Sequence, residues 1–329
     1  MEFLFLGTSA GTPTRTRNVT GLALRKKQQR NWLLVDCGEG TQHQVLKTAL
    51  SLNSLSTICI THVHGDHCYG LPGVLASAGM GKRQAPLTVI APRAIQTWFE
   101  TTRALTDLYL SYPITFVAVE DMQDAWVTED FVIRAYPLSH RVPCYAYHFT
   151  ERQTTSRRLN VAKLTEHNIP SAPYWRQLQQ GENPQLPDGR QLHAEDYCLP
   201  AAPARQVVVA GDNDTPALLQ AACQAAHLLI HEATYTAEVS AKVGEFPQHS
   251  DAARVAKFAV SVGLPNLILT HFSSRYAAEG QPSPSLDDLA AEARRDYHGQ
   301  LFLARDFDQF YLDAAGSLTR SATLSAPLP

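Results

Sequence analysis

The chain has 329 residues and a formal net charge of −3 at pH 7, with 44% hydrophobic and 18% charged residues. These values describe a folded globular protein and exclude a disordered or low-complexity chain. The first residues, Met1–Gly7, lack a basic run and have too short an apolar stretch for a signal peptide, and no later segment approaches the length of a membrane span. We therefore expect a cytoplasmic protein that makes no contact with a membrane.

Six cysteines are scattered along the chain, and none of them belongs to a Cys-x-x-Cys pair. This spacing argues against a disulfide framework and against a cysteine-based zinc ribbon. If the protein binds a metal, we expect histidine and aspartate ligands.

Hydrophobic periodicity and turn residues predict strands that alternate with helices in the N-terminal part of the chain. Strands are expected at 1–6, 20–24, 32–36, 58–61, 87–90, 114–119 and 131–136, and helices at 41–50, 71–78 and 94–108. After the first strand, Gly7–Pro13 is a loop of small residues that could bring the backbone close to a ligand.

The run Thr61–His67 contains three histidines and one aspartate directly after an apolar, β-branched strand. On extended backbone His62 and His64 point to the same side, because side chains two residues apart share a face. Gly65 permits a sharp turn, which would bring the remaining aspartate and histidine to the same centre. These groups exceed the needs of one tetrahedral ion, so we expect two metal ions rather than a set of polar residues at a strand end.

Further histidines and acids follow predicted strand ends in the rest of the chain. Strands are expected at 205–210, 228–230 and 267–269, and helices at 216–226 and 252–262. The polar residues at the strand ends are His140, Asp212, His231 with Glu232, and His271, and His249 precedes the last of these helices. A single histidine in such a position is usually only polar, but the repetition favours one shared metal centre.

Residues 151–199 differ in composition, with many prolines, glycines and basic residues. We interpret them as an inserted arm, with short helices at 162–167 and 174–180, in a single domain formed by 1–150 and 200–313. Basic residues beside Tyr174 and Trp175 suit contact with nucleic acid, and equally a contact with a second copy of the chain. The small and polar residues 314–329 predict a disordered tail.

The His-x-His-x-Asp-His run resembles the signature of the metallo-β-lactamase superfamily. More narrowly, the chain resembles the short bacterial form of ribonuclease Z, the tRNA 3′-processing endonuclease, and within it the ribonuclease BN type. The narrower resemblance rests on motifs that occur in the order of the family: Gly7–Pro13, Asp36–Thr41, His62–His67, Pro137–His140, His231–Thr234, His249–Ser250 and Thr270–Tyr276.

The resemblance implies an α/β (α+β) fold, a four-layer αββα sandwich of two sheets with helices outside, and a tRNA-binding exosite in the inserted arm. It also implies seven metal ligands: His62, His64 and His140 for one zinc ion, Asp66, His67 and His271 for a second, and Asp212 between the two. Manganese or cobalt could replace zinc, because histidine and aspartate sites accept several divalent ions.

The resemblance further implies catalytic roles and partners. Asp66 would accept a proton, and His249 with Glu232 would form a catalytic pair beside the metals. The expected partners are precursor tRNA and a second identical chain in a homodimer. In the arm, Ala172-Pro173 stands where the family has Gly-Pro, which weakens the expected grip on tRNA.

These roles fit phosphodiester cleavage, which needs a nucleophile at neutral pH and compensation of phosphate charge. We expect removal of 3′ trailers from precursor tRNA, with a 3′-hydroxyl on the tRNA and a 5′-phosphate on the trailer, while exonucleolytic trimming stays open. A hydrolase of a small ester or phosphodiester is the alternative, and the size of the arm argues against it. An RNA-binding protein with an inactive centre is disfavoured because every expected ligand is present.

Overall fold

The computed structural model describes residues 1–153, 157–171, 173–200 and 203–321. The chain divides into two compact units, Met1–Glu151 with Arg205–Pro329, and Arg152–Ala204. Among the described residues, every helix is too short or too polar to cross a membrane. Ala172, where the arm departs from the Gly-Pro pattern, lies outside the described residues.

Strands dominate the first unit. They are β1 (Glu2–Gly7), β2 (Gly21–Arg25), β3 (Trp32–Val35), β4 (Leu55–Cys59), β5 (Leu87–Ala91), β6 (Ile114–Ala118), β7 (Trp126–Val127), β8 (Phe131–Leu138), β9 (Cys144–Glu151), β10 (Gln206–Val209), β11 (Leu228–Glu232), β12 (Asn266–Thr270), β13 (Gln300–Leu303), β14 (Gln309–Leu312) and β15 (Leu318–Arg320).

The α-helices are short, and three of them belong to the second unit. In chain order they are α1 (Thr41–Leu46), α2 (Gly65–Cys68), α3 (Leu71–Met80), α4 (Arg93–Leu105), α5 (Val161–Glu166), α6 (Tyr174–Gln179), α7 (Ala194–Tyr197), α8 (Gln220–Cys223), α9 (Ala237–Val243), α10 (Ala252–Ser261) and α11 (Leu286–Asp296). The predicted helix at 216–226 is a 3-10 turn, Pro216–Leu219, followed by the single turn α8.

The strands form two mixed sheets. The first has the order β15-β14-β1-β2-β3-β4-β5-β6, and the second has the order β13-β12-β11-β10-β9-β8-β7. Strands β3 to β6 are parallel in the first sheet, and β10 to β13 are parallel in the second.

The two sheets pack against each other through alternating side chains. In β1, Phe3 and Phe5 belong to the core between the sheets, whereas Leu6 packs under the helices of the first sheet. In β11, Ile230 lies between the sheets and Leu229 under helices of the second. Successive residues of a strand point to opposite faces, so each sheet has one face on the other sheet and one on helices. The predicted αββα sandwich is therefore confirmed.

Strand direction explains why the predicted site residues come together. Strands β10, β11 and β12 are parallel. Strand β8 runs in the same direction as β10, because both are antiparallel to β9. The carboxyl ends of these four strands therefore share one edge of the sheet, and the segments at these ends carry the predicted acids and histidines.

The second unit, Arg152–Ala204, has a small core of its own. Its buried side chains are Leu164, Ile169, Leu178, Leu186, Leu192, Ala194 and Tyr197. Tyr174 and Trp175 pack against this core, and the Trp175 indole donates a hydrogen bond to the Ile169 carbonyl at 3.1 Å. The aromatic pair therefore supports the unit itself, while Arg157 and Arg158 are exposed.

The expectation of a disordered tail from residue 314 is wrong for residues 318–320. Strand β15 pairs with β14 in antiparallel register, with Leu318 opposite Leu312, and Leu318 is fully buried. Burial of one leucine and the strand hydrogen bonds order a segment whose composition is otherwise small and polar. Residues 322–329 lie outside the described part of the chain.

We expect Leu318→Ala to lower the free energy of unfolding by about 2 to 4 kcal/mol, because it leaves a cavity in the core between the sheets. Thr319→Ala is the matched control, since its side chain is exposed on the same strand. Urea unfolding followed by circular dichroism measures both values. Equal stability of the two variants would mean that β15 adds nothing to the fold.

Candidate metal centre

His62 and His64 lie on the short segment between β4 and α2, and Asp66 and His67 lie in the first turn of α2. The chain turns at Gly65, because α2 begins there directly after the extended backbone of His64, and it does so without a left-handed conformation at Gly65. A Cβ at this position would lie 2.2 Å from the Tyr69 ring, so a side chain here would displace that ring.

The first group of candidate ligands combines three histidines and one aspartate. Nδ1 of His64 lies 3.1 Å from Nε2 of His62 and 3.1 Å from Nε2 of His140. Oδ2 of Asp212 lies 3.6 Å from Nε2 of His62 and 3.7 Å from Nε2 of His140. These four atoms surround one point, at the ends of β4, β8 and β10.

The second group combines Asp66, His67 and His271. Nε2 of His67 lies 3.2 Å from Nε2 of His271 and 3.6 Å from Oδ2 of Asp66. The other oxygen of Asp212, Oδ1, lies 3.4 Å from Nε2 of both His67 and His271. The two oxygens of one carboxylate thus face two separate groups.

Both groups fit a divalent metal ion. Tetrahedral coordination with metal–nitrogen bonds of 2.0–2.1 Å separates neighbouring ligand atoms by about 3.3 Å. The observed separations between the ligand atoms run from 3.1 to 3.7 Å, so small movements of the side chains would bring them to this value. All seven residues expected as ligands lie in these two groups.

Outer hydrogen bonds fix the orientation of the rings. Asp36 Oδ2 lies 2.7 Å from Nδ1 of His67, and the same carboxylate accepts hydrogen bonds from the backbone and hydroxyl of Thr61. Thr234 Oγ1 lies 3.0 Å from Nδ1 of His271. Such contacts set which ring nitrogen is free to bind a metal. Sequence reasoning did not assign Asp36 or Thr234 a role, although both lie in motifs that it singled out.

His249 lies beside the centre and pairs with a buried carboxylate. Its Nδ1 is 3.0 Å from Glu232 Oε1 and 3.8 Å from Asp212 Oδ2. Burial lowers the pKa of His249, but the carboxylates of Glu232 and Asp212 and the hydrogen bond to Glu232 raise it more, to about 9. Cations bound at Asp212 would oppose this rise, because they would cancel part of the carboxylate charge.

Two further residues of the family motifs, His231 and Arg275, lie outside the ligand groups. His231 is fully buried, with Nδ1 2.7 Å from the Glu232 carbonyl and Nε2 3.1 Å from the Asn213 amide, so it supports the strand end. The Arg275 guanidinium lies over the Tyr235 ring at 5.1 Å, and its Nε donates a hydrogen bond to Ser273 Oγ.

The centre concentrates negative charge around His67. Burial lowers the pKa of His67, but Asp212, Asp66 and Asp36 raise it well above its ordinary value. Without a metal ion, these carboxylates favour the protonated imidazole, whereas the ring has to be neutral to bind a metal. The carboxylates around His67 therefore stabilise a positive charge at this position, and either a proton or a metal ion can provide it.

The chain is similar to curated ribonucleases over nearly its whole length. It is 52% identical over 313 residues to ribonuclease Z of Marinobacter nauticus, covering 95% of this chain and 97% of that protein. It is 38% identical over 317 residues to ribonuclease BN of Proteus mirabilis, covering 95% of this chain and 100% of that protein.

Two further matches concern the fold and the N-terminal part. Human tRNase Z, short form, matches with a TM-score of 0.65 and 24% identity, covering 95% of this chain and 100% of that chain. A family model described as anti-Pycsar protein Apyc1 matches residues 1–104. The ribonucleases match nearly the whole chain, whereas this family model matches residues 1–104.

We expect zinc binding to the metal-free protein to release protons near pH 7 and to tighten as the pH rises. His67 is protonated below its raised pKa and neutral above it, so the proton competes with the ion at lower pH. Titration calorimetry in two buffers with different ionisation enthalpies counts the released protons. A binding heat that is the same in both buffers would contradict this expectation.

Proposed function

The chain belongs to the ribonuclease Z family of metal-dependent endoribonucleases with the metallo-β-lactamase fold, and on this premise we propose that it removes 3′ trailers from precursor tRNA. The products would be a tRNA with a 3′-hydroxyl and a trailer with a 5′-phosphate. The observation that carries the proposal is the pair of ligand groups around Asp212, with His249 and Glu232 beside them.

We propose that the centre binds two zinc ions per chain. His62, His64 and His140 would hold one ion, Asp66, His67 and His271 the other, and Asp212 would contact both. The donor atoms are those that zinc accepts, and the opposed oxygens of Asp212 support a shared ligand. When bound, such ions lower the pKa of water and compensate the charge of a phosphodiester.

Two side chains beside the centre, Asp66 and His249, would carry out the two proton transfers of the reaction. The histidines around Asp66 lower the pKa of its carboxyl, which burial alone would raise, so it is ionised and can orient and deprotonate the attacking water. His249 would donate a proton to the departing 3′-oxygen. Glu232 keeps that imidazole protonated and holds its ring through the bond to Nδ1, which leaves Nε2 for the substrate.

We propose that the unit Arg152–Ala204 grips the body of the tRNA. The exposed charges of Arg157, Arg158 and Arg176 support this role, because phosphate contacts by arginine provide most of the affinity for RNA. We also propose a homodimer. Met80, Leu105 and Tyr109 are each more than 80% exposed, so these apolar side chains are available to contact a second copy of the chain.

A cytoplasmic location is part of the proposal. All six cysteines are free, and five of them are buried. Unpaired thiols are typical of proteins from a reducing compartment.

We expect removal of residues 152–204 to abolish cleavage of a 3′-extended precursor tRNA and to spare hydrolysis of bis-p-nitrophenyl phosphate. The deletion can be closed with an Asn-Gly turn, because Glu151 ends β9, Arg205 directly precedes the antiparallel strand β10, and the Glu151 amide donates a hydrogen bond to the Arg205 carbonyl. End-labelled substrate on a denaturing gel measures the first activity, and absorbance measures the second.

A finer variant avoids the deletion. The double variant Arg157→Ala/Arg158→Ala should bind tRNA more weakly. The slope of the logarithm of the binding constant against the logarithm of the salt concentration should decrease by about 1 for each arginine removed. Lys257→Ala, an exposed cation on α10, is the control. Small-ester hydrolysis by the wild type without any tRNA cleavage would favour the small-substrate alternative.

His249→Ala should lower kcat for precursor tRNA by about 10²- to 10⁴-fold, the usual contribution of a general acid. His298→Ala, at an exposed position, serves as control. Because His249 also lies close to Asp212 and His271, metal content must be measured by mass spectrometry in both variants. Unchanged turnover with both metals bound would show that His249 is not the acid.

A further inference from the structure

Asp306, in the turn between β13 and β14, connects three segments that are distant in sequence. Its Oδ1 accepts a hydrogen bond from Thr8 Oγ1 at 2.8 Å. Its Oδ2 accepts hydrogen bonds from the Asn18 backbone at 2.7 Å and from the Gln44 amide at 3.1 Å. Burial raises the pKa of Asp306 to about 6 even though the hydrogen bonds from Asn18 and Thr8 lower it, so these donors offset part of the cost of ionisation.

Thr8 begins the loop of residues 8–13, which lies directly against the second ligand group. The backbone amide of Gly11 donates a hydrogen bond of 2.6 Å to Asp66 Oδ2, the oxygen that faces His271. The loop also exchanges backbone hydrogen bonds with Phe272, the residue after His271: Ala10 donates to its carbonyl, and its amide donates to Thr8.

The opposite side of the loop is fixed through Asn18. The amides of Thr8 and Ser9 both donate to the Asn18 carbonyl at 2.9 Å, while the Asn18 amide donates to Asp306. The carboxylate thus holds both strands of this small backbone ladder. A displacement of the ladder would reach Asp66 and His271 together.

The three-histidine group depends on other segments. His62 is held by the Thr61 hydroxyl, and Nδ1 of His140 lies 3.0 Å from the Gln248 carbonyl. Disturbance of the loop of residues 8–13 should therefore affect the two ligand groups unequally.

We propose that Asp306 is a positioning residue, which fixes the loop of residues 8–13 so that Gly11 and Phe272 orient Asp66 and His271 for one of the two metal ions. This inference rests on the proposed assignment of Asp66 and His271 to one ion. It predicts selective loss of that ion when the carboxylate is removed.

The test compares Asp306→Ala with Asp308→Ala. Asp308 lies in the same turn, is buried, pairs with Arg320 and accepts a hydrogen bond from the Arg305 amide. Its loss therefore disturbs this turn and the strands β14 and β15 without removing the carboxylate that binds Thr8, Asn18 and Gln44. Zinc affinities of the metal-free proteins are measured by competition with a chromophoric chelator. We expect Asp306→Ala to weaken the binding of one of the two zinc ions by about tenfold. This is the lower end of the cost of losing a direct contact to a metal ligand, because Asp306 acts on the ligands only through the loop of residues 8–13.

Asp306→Asn provides the conservative rescue. Its amide oxygen can accept from Asn18 and Gln44, and its amide nitrogen can donate to the Thr8 hydroxyl, so we expect both affinities to be within about threefold of the wild type. This variant also keeps the test valid if Asp306→Ala fails to fold. If Asp308→Ala folds and Asp306→Asn binds both zinc ions with wild-type affinity, the failure of Asp306→Ala alone supports a specific role of Asp306 in holding the loop.

Hydrogen exchange of the metal-free proteins gives a second readout that needs no metal. Faster exchange of residues 8–12 in Asp306→Ala than in Asp308→Ala supports the proposal. Equal exchange in the two variants, or equal weakening of both zinc ions by both variants, would overturn it. A wild type that binds a single zinc ion would instead refute the proposed two-ion centre, and hydrogen exchange would still decide the role of Asp306.

Discussion

The structure depends on one electrostatic requirement: buried carboxylates at the strand ends need positive charge. Asp36, Asp66 and Asp212 surround His67, and together they raise the pKa of its imidazole well above its ordinary value even though burial lowers it. Charges at this depth are tolerated only when they are paired and hydrogen-bonded. His67 supplies that pairing through a proton, and a metal ion can replace this proton without rearrangement of the fold. The same interaction therefore stabilises the metal-free protein and prepares it for metal binding.

The sandwich satisfies this requirement by geometry. Strands whose interiors are continuous apolar runs end together, and the first polar residues after them must lie at one edge. Asp212 follows β10, Glu232 ends β11, and His271 follows β12. Asp212 lies between the two ligand groups, and its two oxygens therefore face different histidines, one His62 and the other His67. A single carboxylate thus couples the two groups, so that a change at one must alter the charge felt by the other.

Much of this could be predicted from the sequence, because local patterns carry the information. Hydrophobic patterns predicted β1 to β6 of the first sheet and β8, β10, β11 and β12 of the second, and the histidine run predicted the centre. Strand β9, Cys144–Glu151, was missed because its alternation is interrupted by polar residues, and α11 was missed although Ser285 and Asp288 form a capping box. Asp306 has no local signal at all: its partners Thr8 and Asn18 are 298 and 288 residues away, so only the folded chain shows what it holds. Tyr174 and Trp175 show the reverse error, since a composition suited to RNA contact partly serves a local core.

The division of the chain into two units separates two physical tasks. The centre needs rigid placement of its candidate ligands, and all seven of these residues come from the first unit, near the ends of strands. Recognition of a large polyanion needs exposed charge on a support that can vary without disturbing those ligands. In the role proposed above, the insertion would meet this need, because the chain leaves the first unit after Glu151 and re-enters it at Arg205, whose carbonyl accepts a hydrogen bond from the Glu151 amide. A segment with its own core, anchored at such a point, can change in sequence while the strand ends that carry the ligands stay in register.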